Sequence, residues 1–201
     1  KGGKLEVTRN RTETCQYYAF YLGTATPQSH PELWAKMMNE FGPVRQTSKA
    51  YPEIHPSNAF IGNYLRMELL SSEGRSKQIL EENQSYYLPM ARQTGTLWEN
   101  MTTSASCNHG FAAHMARVLY RDVLGVYDIS PTEKKVTLRF TDCGLKHCKG
   151  SIPVDNESVD VEWTMQDGQM DVSLKLPQGY TYEHTSPGLS SCTITTKPIK
   201  R

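Results

Sequence analysis

The residues of this 201-residue chain whose types and spacing could do chemistry fall in one stretch, Gly95 to Val126. Trp98 and Glu99 stand side by side, and a histidine follows within Cys107-Asn108-His109-Gly110. A carboxylate on a loop behind a glycine can act as a general base that takes a proton from water, and an indole offers a flat apolar wall for a ring ligand. An imidazole at a helix start sits among free backbone N–H groups, where a polar ligand can be held. The plainer alternative puts Trp98 in the core with Glu99 a surface carboxylate. For the second group it is a helix cap made by Ser106 or Asn108, with His109 in solvent.

Other combinations carry less. Cys107 with His109 suggests a nucleophile pair but has no third group to orient it. Cys143 and Cys148 bracket His147 as half a zinc site would, yet no second pair stands at a suitable spacing, so neither a metal nor a cofactor is expected. Tyr17-Tyr18 and Tyr86-Tyr87 either rim a carbohydrate cleft or lie partly buried on helices. An ion pair of Arg121 is expected on structural grounds.

These residues need elements to hold them. Thr12 is a candidate N-cap for a helix over about 13–22, with Gly23 as its stop. Pro31 opens a second helix with a broad apolar face through Phe41, and the prolines of 43–56 predict a loop. Ser57 is a candidate cap for a third helix with Phe60 and Leu69, a fourth spans about 75–87, and a fifth, over 108–124, has Phe111, Met115, Val118 and Leu119 on one face.

After Pro131 the composition changes. The segments 136–140, 158–165, 170–176, 180–184 and 192–196 read as strands, and Asp167-Gly168 marks a tight hairpin turn. The expectation is a mainly α part over 1–131 and a small antiparallel β domain over 132–201.

With 37% hydrophobic residues, 21% charged residues and a net charge of +1, the chain shows no electrostatic footprint for nucleic acid or a membrane surface. Its apolar runs fall short of a bilayer span, and no signal-peptide core stands at its start, so it is cytoplasmic or a targeting segment lies outside it. Five cysteines leave at least one unpaired within the chain. Five amphipathic helices need more partners than the chain supplies, which points to a piece of a larger assembly.

The run Gly95-Thr-Leu-Trp-Glu-Asn, then Ser106-Cys-Asn-His-Gly-Phe-Ala-Ala-His and Val118-Leu-Tyr-Arg-Asp-Val-Leu-Gly-Val, followed by Lys149-Gly-Ser-Ile-Pro-Val and Val159-Asp-Val-Glu-Trp, resembles the C-terminal part of the bacterial α-L-rhamnosidases of glycoside hydrolase family 78. The resemblance implies the C-terminal portion of an (α/α)6 toroid followed by an antiparallel β domain. It implies hydrolysis of terminal α-L-rhamnosides with inversion, a rhamnose-containing glycan as partner, and a periplasmic or secreted setting. Inversion uses two carboxyl groups roughly 6.5 to 9.5 Å apart, one acid and one base. On that resemblance Glu99 matches the base, Trp98 a wall of the sugar pocket, and His109 with Asn108 the groups that bind rhamnose. The family's acidic, arginine-containing acid motif has no counterpart here. The expectation is therefore that the isolated chain is inactive and that its half-toroid closes against the missing segment or another copy of itself. A carbohydrate-binding or structural module without catalysis, or another (α/α)6 glycosidase, stays as the alternative.

Overall fold

Thr12 accepts a hydrogen bond from the Cys15 N–H and starts α1 (Glu13–Tyr21), and Gly23, at φ +73°, turns the chain beyond it. The computed structural model describes residues 10–57 and 59–197. It divides into two compact units. One holds the chain up to Leu69 together with Ser85–Ala112; the other holds Leu70–Gln84 and the chain from Ala113 on.

In the first unit, β1 (Arg11–Thr12) pairs in parallel with β2 (Ile54–His55), and α2 (Pro31–Glu40) buries Met37 and Met38. The predicted loop over 43–56 is not one throughout. Pro43 occupies the first position of α3 (Pro43–Ser48), where its missing N–H costs nothing, and Gly42 at φ +86° makes the entry. α4 (Phe60–Ser72) begins three residues past Ser57, whose N–H is committed elsewhere, to the Glu13 carboxylate. α5 (Ser76–Thr94) runs through Pro89, well past the predicted stop. The lost backbone bond falls at an exposed residue, while the turns around it bury Tyr86, Tyr87 and Met90.

Charge lies at the centre of this unit. Glu13 is 0% exposed and pairs with Arg45, which is 4% exposed and also donates to the carbonyls of Ala50, Tyr51 and Ile54. The Tyr17 hydroxyl donates to the same carboxylate at 3.2 Å. Every lobe of the buried ion pair thus has a partner, the condition under which such a pair is tolerated.

The second unit is a two-sheet β module with a helical turn packed in. One sheet has the order β3 (Val126–Ser130), β4 (Lys135–Arg139), β8 (Thr181–Thr185); the other has β5 (His147–Val154), β6 (Glu157–Gln166), β7 (Gln169–Lys175), β9 (Ser191–Thr196). Alternation holds: Val136 and Leu138, Val159, Val161 and Trp163, and Met170, Val172 and Leu174 all point into one core. The hairpin turn is at Asp167-Gly168, both at positive φ.

The expected purely antiparallel domain is corrected. β4 pairs with β8, and β7 with β9, in parallel. Between β4 and β8 the chain runs three strands in the other sheet, and between β7 and β9 it runs one, each time returning in its original direction. In this unit two strands lie outside the segments that alternation predicts. β3 begins before Pro131, and β5 carries Gly150 and Pro153, which weaken a strand pattern but are admissible because β5 is an edge.

The expected fifth helix is three short pieces: a 3₁₀ turn (Gly110–Ala113), α6 (His114–Val118) and a π-helical turn (Leu119–Val123). Its predicted apolar face is not uniformly buried. Val118 is covered, whereas Phe111 is 62% exposed and Leu119 is 39% exposed. The change in backbone pattern rotates successive side chains away from a single stripe. Asp122 at its end is buried and accepts hydrogen bonds from Ser71 at 2.6 Å, Arg121 at 2.8 Å and Arg139 at 2.8 Å. That cluster ties the end of α4 to β4, and it contains the ion pair expected of Arg121.

Candidate functional site

The stretch 96–109 folds back on itself in the first unit. The Glu99 N–H donates to the Ser106 carbonyl at 2.9 Å, and the His109 N–H donates to the Leu97 carbonyl at 2.9 Å. The Thr96 hydroxyl donates to the Cys107 carbonyl, a side-chain tie between the two arms. The offset between these pairs is one residue, a local bulge that changes the side-chain alternation. Between them, residues 100–105 form a polar loop closed by Asn100, whose side-chain oxygen accepts from the N–H and the hydroxyl of Thr102, each at 2.8 Å.

This ladder is attached to the start of α4. The Phe60 N–H donates to the Glu99 carbonyl at 3.0 Å, and Ala59 bridges to Asn100. One otherwise unpaired N–H of the helix terminus is thereby used, and the Glu99 backbone is held on both sides.

Glu99 is partly exposed, and one oxygen of its carboxylate accepts from the Ser106 N–H at 3.4 Å. That contact orients the group and leaves the second oxygen for a ligand or water. No hydrogen bond joins Glu99 to His109 among the described residues; what they share is the ladder.

His109 is half-buried between two aromatic rings. It stacks on Phe60 with centroids 4.8 Å apart and planes 24° from parallel, and Phe111 lies 5.2 Å from both rings. The Phe111 N–H donates to His109 Nδ1 at 3.4 Å, which favours the neutral tautomer with its proton on Nε2. Asn108 is exposed; its backbone is tied to Ser106, and its side chain is available to solvent.

Trp98 is a different case. Its ring is 4% exposed, its Nε1–H donates to the Thr94 hydroxyl at 2.7 Å, and its backbone N–H rests on the Met90 sulfur at 3.4 Å. The indole backs the loop from within. The exposed aromatic surface beside His109 comes from Phe60 and Phe111, two residues that helix periodicity assigns to apolar stripes.

The remaining candidates disperse. Tyr17, Tyr86 and Tyr87 are buried, and only Tyr18 of the four tyrosines reaches solvent. Burial pushes the Cys143 and Cys148 thiols up, which disfavours the thiolate a metal or a nucleophilic role requires. No three His, Cys, Asp or Glu side chains come together as a metal set among the described residues, and no helix among them is long and apolar enough to cross a membrane.

Comparison with known proteins agrees with the resemblance drawn from the residues. The chain is 26% identical over 171 residues to an α-L-rhamnosidase of Alteromonas sp. (strain LOR), covering 74% of this chain and 18% of that protein. In fold it matches a family 78 rhamnosidase of Bacillus sp. GL1 with a TM-score of 0.79 at 17% identity, covering 96% of this chain and 21% of the other. No protein-family profile matches the chain. The chain spans about a fifth of the length of these relatives. It is rhamnosidase-like, with the fold of one region of such an enzyme.

Proposed function

We propose that this chain is the C-terminal region of an inverting α-L-rhamnosidase and supplies its general base, Glu99. The observation that carries the reading is the ladder of 96–99 on 106–109, which holds a partly exposed carboxylate and a tautomer-defined imidazole on one rigid support at the start of α4. A base must be within reach of the water it deprotonates and be kept from collapsing onto neighbours, and the Ser106 contact through one oxygen alone meets that need.

In this reading Glu99 takes a proton from water as its oxygen attacks the anomeric carbon of the rhamnoside. The glycosidic bond breaks on the opposite face, and the leaving oxygen is protonated by a carboxylic acid outside these 201 residues. His109, through Nε2–H, and Asn108 hold the sugar hydroxyls, while Phe60 and Phe111 give the apolar surface that a 6-deoxy sugar favours. Trp98 keeps the loop in position from behind. In the longer protein the helical part completes its toroid with helices outside these 201 residues.

The test is hydrolysis of a chromogenic α-L-rhamnoside by the protein with its upstream region and by this chain alone. The longer protein is expected to release β-L-rhamnose first, seen by NMR, and Glu99→Gln is expected to lower kcat by about 10²- to 10⁴-fold. Efficient hydrolysis by the 201-residue chain alone, or full activity of Glu99→Gln, overturns the assignment.

A further inference from the structure

The outer face of β5–β6–β7 departs from an ordinary solvated sheet surface, because it holds a recess of about 440 Å³. Its cause is local. Gly150 stands opposite Val161, and a Cβ at 150 would lie 2.7 Å from the Leu124 side chain, so the backbone there sits close against the core and lowers the floor. Ser151 and Ser173 keep the floor short, while Lys149, Lys175 and Lys197 are long enough to stand as walls.

The pairing register arranges the polar groups in two adjacent rungs on this face. One is Lys149, Glu162, Ser173; the next is Ser151, Asp160, Lys175. Both carboxylates are oriented. Asp160 accepts from the Ser151 hydroxyl at 2.5 Å and the Ser158 hydroxyl at 2.7 Å, with Lys175 at 3.4 Å; Glu162 meets His147 at 3.3 Å and Lys149 at 3.4 Å. These contacts hold both carboxyls below the usual carboxylate range, so both stay charged in mildly acidic solution.

Three ammonium groups thus face two carboxylates. Lys149 and Lys175 are matched, whereas Lys197 has no carboxylate within ion-pair distance among the described residues. The recess therefore offers fixed acceptors for hydroxyl groups, the Ser173 hydroxyl, ammonium donors, a third cation, Lys197, that reaches Glu162 only through its longer-range field, and no aromatic wall. Neutral sugars are commonly held by stacking on rings; a ring bearing its own negative charge has another means of attachment.

We infer that this recess is a second saccharide site, taking a pyranose that carries one anionic group, a carboxylate or a sulfate, against Lys197, with its hydroxyls on Asp160, Glu162 and the two serines. The site is independent of hydrolysis and of the assignment of Glu99.

The test is a titration of the 201-residue chain, followed through the amide signals of Gly150, Val161 and Ser173, with methyl galactoside, its 6-carboxylate (the galacturonate) and its 6-sulfate. At least one anionic sugar is expected to shift these signals saturably and to bind at least tenfold tighter than the neutral one; the tighter of the two identifies the anionic group. Lys197→Gln and Lys149→Gln should each weaken it at least fivefold with unchanged melting. A preference below tenfold, shifts elsewhere only, indifference to Lys197→Gln, or inorganic sulfate binding as tightly as the sugar overturns the proposal.

Discussion

The imidazole of His109 lies 4.8 Å from the ring of Phe60, nearly parallel to it, and presents Nε2 rather than Nδ1 to solvent because Nδ1 accepts from the Phe111 backbone. The stack fixes the ring's plane and the backbone bond fixes its tautomer. The ¹⁵N spectrum of His109 at a pH where it is neutral is expected to show the Nε2–H form dominating. An equal mixture of tautomers would remove the argument that the ring is pre-oriented.

Phe111 is 62% exposed and its ring meets those of Phe60 and His109, so its loss should separate function from folding. Phe111→Ala is expected to change stability by less than about 1 kcal/mol while, on the proposed function, raising KM for a rhamnoside severalfold in the longer protein. A large fall in melting temperature with KM unchanged would make Phe111 a core residue instead.

Glu13→Gln leaves Arg45 buried without its counter-charge, although three carbonyls still bind the guanidinium. The expected loss is about 3 kcal/mol, the size found when one member of a buried pair is removed. Urea unfolding measures it, and a loss below about 1 kcal/mol would mean the pair behaves as a surface one.

Asp122→Asn should destabilise the second unit by a comparable amount, about 3 kcal/mol, since Arg121 and Arg139 both lose their carboxylate. Ser71→Ala, which removes one hydroxyl from the same cluster, is expected to cost about 1 kcal/mol. Hydrogen exchange at β4 should report both losses, and a larger effect from Ser71→Ala than from Asp122→Asn would contradict the ordering.

Tyr87 gives a pH signature. Burial pushes its hydroxyl up to about 12, partly offset by the bond from Asn63 at 3.0 Å, so the folded state favours the neutral phenol. Its contribution is complete below about pH 10, where the unfolded phenol begins to ionise, and is lost as pH rises toward 12, on the order of 2 kcal/mol. Tyr87→Phe should flatten the fall in stability between pH 10 and 12, measured by melting curves; an unchanged slope would assign the alkaline loss to other groups.

Much of this fold is legible in the residues because single positions dictate local geometry. Thr12, Gly23, Pro31 and Asp167-Gly168 each impose a cap, stop or turn that long-range packing does not override. Where structure departs from local pattern, the causes are equally local. Pro43 breaks a pattern on paper yet opens α3, Pro89 sits where a helix can lose one bond, and β5 pairs on one side only and so needs little strand propensity.

At the site, the Trp98-Glu99 and Asn108-His109 signals are contiguous and visible. The ladder joining them is not, because its polar connecting loop has no period. The aromatic group around His109 is assembled from positions 60, 109 and 111, a proximity that only tertiary structure creates.

The pairing of Ser71 with Arg139, 68 positions apart, bears on how the chain acquires its shape during synthesis. The 70–84 turn leaves the ribosome well before the strands it packs on, and β7 waits for β9 at the far end of the chain for its parallel neighbour. The second unit therefore closes late, with slow, non-local contacts, and until then its early helical segment remains a surface for chaperones to shield.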